Sequence, residues 1–394
     1  MVLHIILDDK FGKIIIQRFL EINPQQNIFI VVSNNSKIQN IPLDYAQKTT
    51  LIHPNNIVQY VDSYMENSTA IVFHGLNEEY KWQMIERYKG KVHLHWKFWG
   101  TDGYMLPHMR KGLLEKETKK LKLKLYNITP LRYYLTNSGG FIFNLYAWQY
   151  KLRNNDDHFL KKLEKAIRTV DSISSVVIDD YYKIKKALNL KSPHLYLYYT
   201  ADKVENIGIK NNTPSGKNII IGNSASIENN HLDAFQLLKK LNINNRKIIV
   251  PLNYGAGNYT TEFLNLIINN GILNFGCENF MPLTNFLDVE EYAKLLSSCS
   301  HAVMFHNKQH AAGNINMLLY IGAKVFLSKK NPIYSFLKRN NFIVFNTNQL
   351  SQEQLDTSLT QKEIKQNRNQ LAKIYSPQLI TERHKILFNV LIQK

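Results

Sequence analysis

Two stretches in the first third of this chain place groups that can take or give protons at the ends of apolar runs. They are Val72–Leu76 (VFHGL) and His93–Met105 (HLHWKFWGTDGYM). Taking a proton from a hydroxyl needs a base within reach of it. Asp102 is the sharpest candidate, with His74 and His95 as alternatives. An Asp after Trp-Gly-Thr is equally an ordinary turn former. His93 and His95 alternate along one strand-like run, so one of them is expected to be structural. Trp99, next to Gly100, either packs in a core or stacks on the apolar face of a sugar ring.

The second half offers anion chemistry. Ile219–Phe235 (IIIGNSASIENNHLDAF) reads as a strand, the turn Gly222-Asn223-Ser224 and a helix. Glycine permits close backbone approach, and Asn and Ser donate hydrogen bonds, so this turn suits a diphosphate or sugar hydroxyls, or is a plain strand–helix connection. It lacks the three spaced glycines of a dinucleotide fingerprint, and no Walker motif is present. In Met304–Ser328 a strand runs into a polar turn and a helix starting near Gly313, whose free N–H groups suit a pyrophosphate. Lys308, Gln309 and His310 flank it. Between these two lies an irregular stretch, Cys277–Leu296. There a nucleobase could lie along Phe280–Leu283 with Glu278 reaching a hydroxyl, and loop packing is an equal account. The thirteen histidines show no paired-ligand spacing, and Asp8-Asp9 and Asp179-Asp180 are adjacent rather than spaced carboxylates. Metal-independent chemistry without a cofactor is therefore expected, with a helix end and polar groups meeting leaving-group charge.

Elements that position these residues follow from periodicity. Strands are expected at Val2–Leu7, Ile28–Val32, Ala70–Phe73, Val92–Phe98, Ser175–Ile178 and His194–Tyr198, with helices at Lys13–Glu21, Asn56–Met65, Glu78–Tyr88 and Asp180–Leu188. A second series has strands at Asn218–Ile221, Lys247–Val250, His301–Phe305 and Lys324–Leu327. Its helices are Asn230–Leu241, Tyr259–Asn270 and Asp288–Ser298, the last capped by Asp288. Such alternation predicts parallel sheets wrapped by helices. With 394 residues, two α/β domains facing a cleft are expected. The first spans 1–210, with a basic helical insertion at about 104–170. The second spans 217–394, its last helices able to pack back on the first, and the turn-rich run Lys210–Lys217 marks the boundary.

A formal charge of +18 asks for a polyanionic partner or surface. From Gly103 to Val170 there are 14 Lys and Arg against 5 Asp and Glu, half of the whole excess. Lys116, Lys119, Lys120, Lys122, Lys124 and Arg132, with Phe141, Phe143, Tyr146 and Trp148, are expected to hold the protein on an anionic membrane. No stretch approaches the ~18 apolar residues that span a bilayer, and MVLHIILDDKFGK reads as a first strand rather than a leader. The expected location is the cytoplasm, peripheral on the inner membrane. Cys277 and Cys299 are too few for a disulfide framework and read as small buried thiols.

In order along the chain, FHG (Phe73–Gly75), WxxWGxDxY (Trp96–Tyr104), GNS (Gly222–Ser224), NxH (Asn229–His231), VPxxY (Val250–Tyr254), EN (Glu278-Asn279) and QxxxGN (Gln309–Asn314) form one set. Together they resemble the bacterial TDP-4-acetamido-4,6-dideoxygalactose (N-acetylfucosamine) transferases of enterobacterial common antigen synthesis, which act on the polyprenyl-diphosphate-linked intermediate lipid II. The resemblance implies a GT-B fold and a TDP-sugar held mainly by the C-terminal domain, through Gly222, Asn223, Ser224, Tyr254, Glu278, Lys308, Gln309, Gly313 and Asn314. It implies acceptor contacts in the N-terminal domain, for which Gly75, Trp99, Gly100 and Tyr104 are the matching positions. The first seventy residues and the basic region depart from the pattern, which leaves donor sugar and acceptor glycan open. Another nucleotide-sugar enzyme of the same fold, an epimerase or hydrolase, is the alternative. A nucleic-acid binder fits least, since no nucleic-acid-binding motif is present.

Overall fold

The computed structural model describes residues 1–9, 11–137, 139–199, 214–255 and 261–393. Runs such as VLHIIL, AIVFH and CSHAVM are buried almost along their whole length, as strands covered on both faces are. The first sheet comprises β1 (Val2–Leu7), β2 (Asn27–Val32), β3 (Thr49–Ile52), β4 (Ala70–His74), β5 (His93–Phe98) and β6 (Ser172–Ser175), in the spatial order β3-β2-β1-β4-β5-β6. The second comprises β7 (Asn218–Ile221), β8 (Ile248–Pro251), β9 (Phe280–Leu283), β10 (Cys299–Met304), β11 (Lys324–Leu327) and β12 (Phe345–Asn346), in the order β12-β11-β10-β7-β8-β9. Every pairing is parallel. Strand order reverses between β1 and β4 and between β7 and β10. In such sheets ligands bind outside the carboxyl ends of the strands at the reversal, here after Leu7 and His74 and after Ile221 and Met304.

The chain divides into two units. One is Met1–Lys111, Leu135–Ala201 and Pro377–Lys394; the other is Gly112–Tyr134 and Asp202–Ser376. Phe19, Phe29, Val72, Leu387 and Phe388 share the first core, so the last helix, Pro377–Ile392, belongs to it. Ile219, Phe235, Val250, Phe280 and Val303 share the second. The expected boundary Lys210–Lys217 lies outside the described residues as far as 213.

The expected insertion at 104–170 is corrected in its membership. It folds as helices Pro107–Arg110, Lys116–Leu125, Pro130–Asn137, Phe141–Asn154 and Phe159–Thr169, which are divided between the units. Helix Lys116–Leu125 is fixed to the second unit because Asp233 accepts the N–H groups of Glu117 (2.8 Å) and Thr118 (2.9 Å), an N-cap supplied from another helix. Its Leu121 and Leu125 pack on that unit's core. The basic cluster and the aromatic helix therefore do not form one insertion. Phe143 is also buried, against Ala147 and Leu160, and is not free for a membrane.

Asp288 caps its helix as expected, in a reciprocal box with Glu291. His194–Tyr198 makes only a single bridge, to Ile173, and Ile178 opens a helix rather than ending a strand. Cys299 is buried but Cys277 is exposed, contrary to the paired expectation.

Candidate functional site

At the carboxyl edge of the second sheet, β7 turns through Gly222, Asn223 and Ser224. Gly222 has φ +65° and donates its N–H to Val303 O at 3.0 Å. A Cβ there would lie 2.8 Å from Asn229 Oδ1 and 2.9 Å from His231 Nε2, so the turn requires glycine. Asn229, wholly buried, builds the turn: Oδ1 accepts the Asn223 N–H (3.1 Å) and Nδ2 donates to Ser224 O (3.0 Å). Asn223 Nδ2 donates to the Tyr254 hydroxyl at 3.0 Å. The NxH run thus explains the rigidity of the GNS turn.

The neighbouring strand β10 leads through residues 305–311 to helix Ala312–Ile321. Its N-cap, Ala311, has φ +60° and no side chain caps the helix. A left-handed alanine is strained, on the order of 1 kcal/mol, and such strain collects at functional sites. A Cβ on Gly313 meets nothing within 4 Å, so the space over the first turn is open. Free N–H groups and the positive helix end suit an anion there. Lys308 is buried and ion-paired with Glu228 from the β7 loop. Gln309 is buried, and Asn314 Nδ2 donates to the Tyr292 hydroxyl at 2.8 Å. Asn230 Nδ2 donates to Phe305 O at 3.1 Å, tying the two loops together. The structure therefore gathers Gly222, Asn223, Ser224, Tyr254, Lys308, Gln309, Gly313 and Asn314 at one sheet edge.

Glu278 is not among them. It precedes β9 at the amino edge of the sheet, where its carbonyl accepts from Lys247 Nζ at 2.5 Å. Phe280–Leu283 pairs with Ile248–Pro251 rather than lining a ligand. Ligand contact through Glu278 is corrected accordingly, because strand direction puts it a strand length from the Gly222 turn.

In the first unit, Asp102 has no exposed surface. Its Oδ2 accepts the Trp96 indole N–H (2.7 Å) and the Leu76 N–H (3.1 Å), and Oδ1 accepts the Gly100 N–H (3.2 Å). Burial raises its pKa. With both oxygens engaged, Asp102 latches the loops after β4 and β5, a positioning role that the expectation of a base did not include. His95 is likewise engaged, between Ser172 Oγ (2.8 Å) and Ser174 Oγ (2.9 Å). Ser174 gives its proton to Leu195 O, so His95 Nε2 must donate and Nδ1 must accept, and the ring staples β5 to β6.

His74 ends β4. Its tautomer follows from a chain of partners. Asn27 Nδ2 donates to Phe19 O and Asn23 O, which leaves Asn27 Oδ1 to accept from His4 Nε2 at 2.9 Å. His4 Nδ1 then accepts from His74 Nε2 (3.3 Å), and His74 Nδ1 accepts the Tyr199 hydroxyl (3.3 Å). Burial pushes His4 down to about 4 and His74 well below the usual histidine value, so both are neutral at pH 7. Tyr199 stacks on Trp99 (5.5 Å between centroids), and Lys97 Nζ lies 5.1 Å above the Trp99 ring. Burial brings Lys97 down to about 7. Gly75 (φ +89°) and Gly100 (φ +113°) take left-handed turns beside Trp99 and Asp102, while Tyr104 is buried and donates to Asp180 Oδ1 at 2.6 Å. Sequence reasoning missed His4, Lys97 and Tyr199. The signal was present for two of them, since a polar side chain inside a doubly covered apolar strand must find a partner.

Among the described residues no three His, Cys, Asp or Glu side chains gather as a metal set. A family model described as 4-alpha-L-fucosyltransferase glycosyl transferase group 56 matches residues 142–390. The fold is similar to Anabaena HepE in complex with UDP, at TM-score 0.63 and 10% identity over 99% of this chain and 100% of that one. It is also similar to a glycosyltransferase from Rickettsia africae (0.60, 11%, 100% and 98%) and to sucrose-phosphate synthase from Thermosynechococcus elongatus (0.62, 8%, 99% and 98%). At these identities the likeness is one of fold, two Rossmann-like domains of the GT-B kind.

Proposed function

We propose, starting from the fact that the chain belongs to glycosyl transferase group 56, that it moves a fucose-type deoxyamino sugar from a nucleoside diphosphate, thymidine or uridine, to a polyprenyl-diphosphate-linked glycan. One observation carries the donor assignment. At the strand-order reversal of the second sheet, the Gly222 turn and the uncapped, open start of helix Ala312–Ile321 lie side by side. The leaving diphosphate meets the helix N–H groups and the Lys308 ammonium, which it shares with Glu228, so part of its charge is offset by the chain itself without a metal. On the acceptor side, His74 is the proton acceptor, reached through Tyr199, because its two hydrogen bonds, 3.3 Å each, are the long ones and the readiest to be exchanged for a substrate hydroxyl.

Membrane residence is supported by helix Phe141–Asn154. Phe141, Leu145, Trp148 and Leu152 recur at helical spacing and are 75%, 46%, 59% and 66% exposed. Exposed Lys151 and Arg153 flank them. Such a stripe with cations at its edge suits an anionic bilayer surface, here the cytoplasmic leaflet of the inner membrane. No helix among the described residues is long and apolar enough to cross a membrane.

The test is nucleoside diphosphate release from TDP- and UDP-sugars, with and without membrane lipid extract. Release that needs the extract supports transfer. Release without it indicates a hydrolase, and none with either nucleotide removes the donor assignment.

A further inference from the structure

Several buried polar atoms at the carboxyl edge of the second sheet have no hydrogen-bond partner: Asn223 Oδ1, both ring nitrogens of His231, His306 Nδ1 and His310 Nδ1. His231 and His306 are at most 1% exposed. His231 Nε2 points at the Gly222 turn, and the His306 and His310 rings are 5.7 Å apart. Burying polar groups unpaired is costly, and buried polar groups in folded proteins are almost always satisfied. Five such atoms at one strand-order reversal are left for a ligand or ordered water to satisfy.

Their proton needs say which ligand. His306 Nε2 faces the carbonyl of His310 at 3.1 Å and must carry the proton, which leaves Nδ1 as an acceptor waiting for a donor. Asn223 Nδ2 is spent on Tyr254, so Oδ1 also waits for a donor. Burial holds His231 at about 3, so its ring is neutral, with one nitrogen to accept and the other to donate. A diphosphate carries no proton to give at neutral pH, and thymidine supplies two, the base N3–H and the 3′ hydroxyl. A 4-acetamido-4,6-dideoxyhexose supplies two hydroxyls and an amide N–H. We infer that His231, His306 and His310, with the Asn223 amide oxygen, form the pocket for the uncharged glycosyl group of the donor, accepting from its hydroxyl and amide protons. The inference rests on the donor assignment made above, and it adds to the Gly222 turn and the Gly313 helix end a separate part that reads the sugar.

Calorimetric titration with TDP and with TDP-4-acetamido-4,6-dideoxygalactose tests it on the full chain. The unaltered protein is expected to bind the sugar nucleotide more tightly than TDP. His231→Leu, which is close to imidazole in size and removes both nitrogens, is expected to weaken sugar-nucleotide binding tenfold or more while the TDP affinity stays within twofold. His306→Gln, whose amide N–H can keep the bond to the His310 carbonyl while the Nδ1 acceptor is lost, is expected to do the same and carries the comparison if His231→Leu does not fold. Equal loss on both ligands, or no loss on either, overturns the sugar pocket and leaves the donor assignment standing. If the unaltered protein binds neither nucleotide, the donor assignment itself fails.

Discussion

Asp102→Asn separates a latch from a base. The asparagine carbonyl can take the place of Oδ2 and keep the bonds from Trp96 and Leu76. Its amide nitrogen then faces the Gly100 N–H, a donor against a donor where Oδ1 accepted at 3.2 Å. A lost hydrogen bond to a charged acceptor is worth about 1.5–3 kcal/mol, and a buried unpaired donor costs roughly 1–3 more. Allowing for relaxation, we expect a destabilisation of about 3 kcal/mol, which for a unit of this size lowers Tm by roughly 6–12 °C. Asp102→Ala loses all three bonds and is expected to cost more. Thermal and urea unfolding measure the stability, and turnover is read well below the melting range. A positioning role predicts a clear stability loss and a turnover loss of at most about tenfold, whereas a removed general base costs on the order of 10² to 10⁴. An Asp102→Asn protein that melts like the unaltered one yet loses a hundredfold in turnover refutes the latch.

Buried neutral histidines predict acid sensitivity. His4 at about 4 and His231 at about 3 lie below their unfolded value. Their contribution is therefore fully present above about pH 6.5 and is lost as pH falls toward the folded values, at about 1.4 kcal/mol per pH unit for each ring. Urea midpoints should fall steeply from pH 7 to 5, and Lys97, which burial lowers to about 7, should raise them further from pH 7 to 8; equal stability at pH 5 and 7 contradicts neutral burial. Turnover is expected to survive EDTA, and a loss that magnesium restores refutes the assignment of diphosphate charge to the helix end and Lys308. Trp148→Ser combined with Phe141→Ser removes about 3–6 kcal/mol of available apolar burial. It should therefore abolish binding to anionic vesicles while leaving activity on a water-soluble acceptor analogue. Attachment should also weaken with salt, and binding to neutral vesicles as strong as to anionic ones contradicts the electrostatic part. Changing Lys116, Lys119, Lys120, Lys122 and Lys124 to Gln tests whether the second unit's basic helix shares in it.

Most of the fold was legible because doubly covered strands leave unbroken apolar runs, as in VLHIIL and CSHAVM. The short edge strand β12 has two residues and too little pattern to read, and β3 is half-buried throughout. Pro282 made FMPL look irregular, although proline is tolerated on an edge strand and β9 is one. That misreading placed Glu278 at the wrong end of the sheet. HLYLY alternates like a strand yet makes only one bridge, to Ile173 of β6. The turns after β7 and β10 were legible from local composition. The latch of Asp102 and the proton chain from Asn27 to Tyr199 were not, because their partners are up to 125 residues apart in sequence. The aromatics Phe141, Phe143, Tyr146 and Trp148 were visible, but which of them face outward was decided by the packing of Phe143 against Leu160.

The most direct measurement is a structure of the protein with thymidine diphosphate bound. Diphosphate oxygens are expected within hydrogen-bond distance of the Gly313 or Asn314 N–H and next to the Gly222 turn. A nucleotide found at the amino edge of the second sheet, near Glu278 and Lys247, or held by the first unit alone, would contradict the donor assignment.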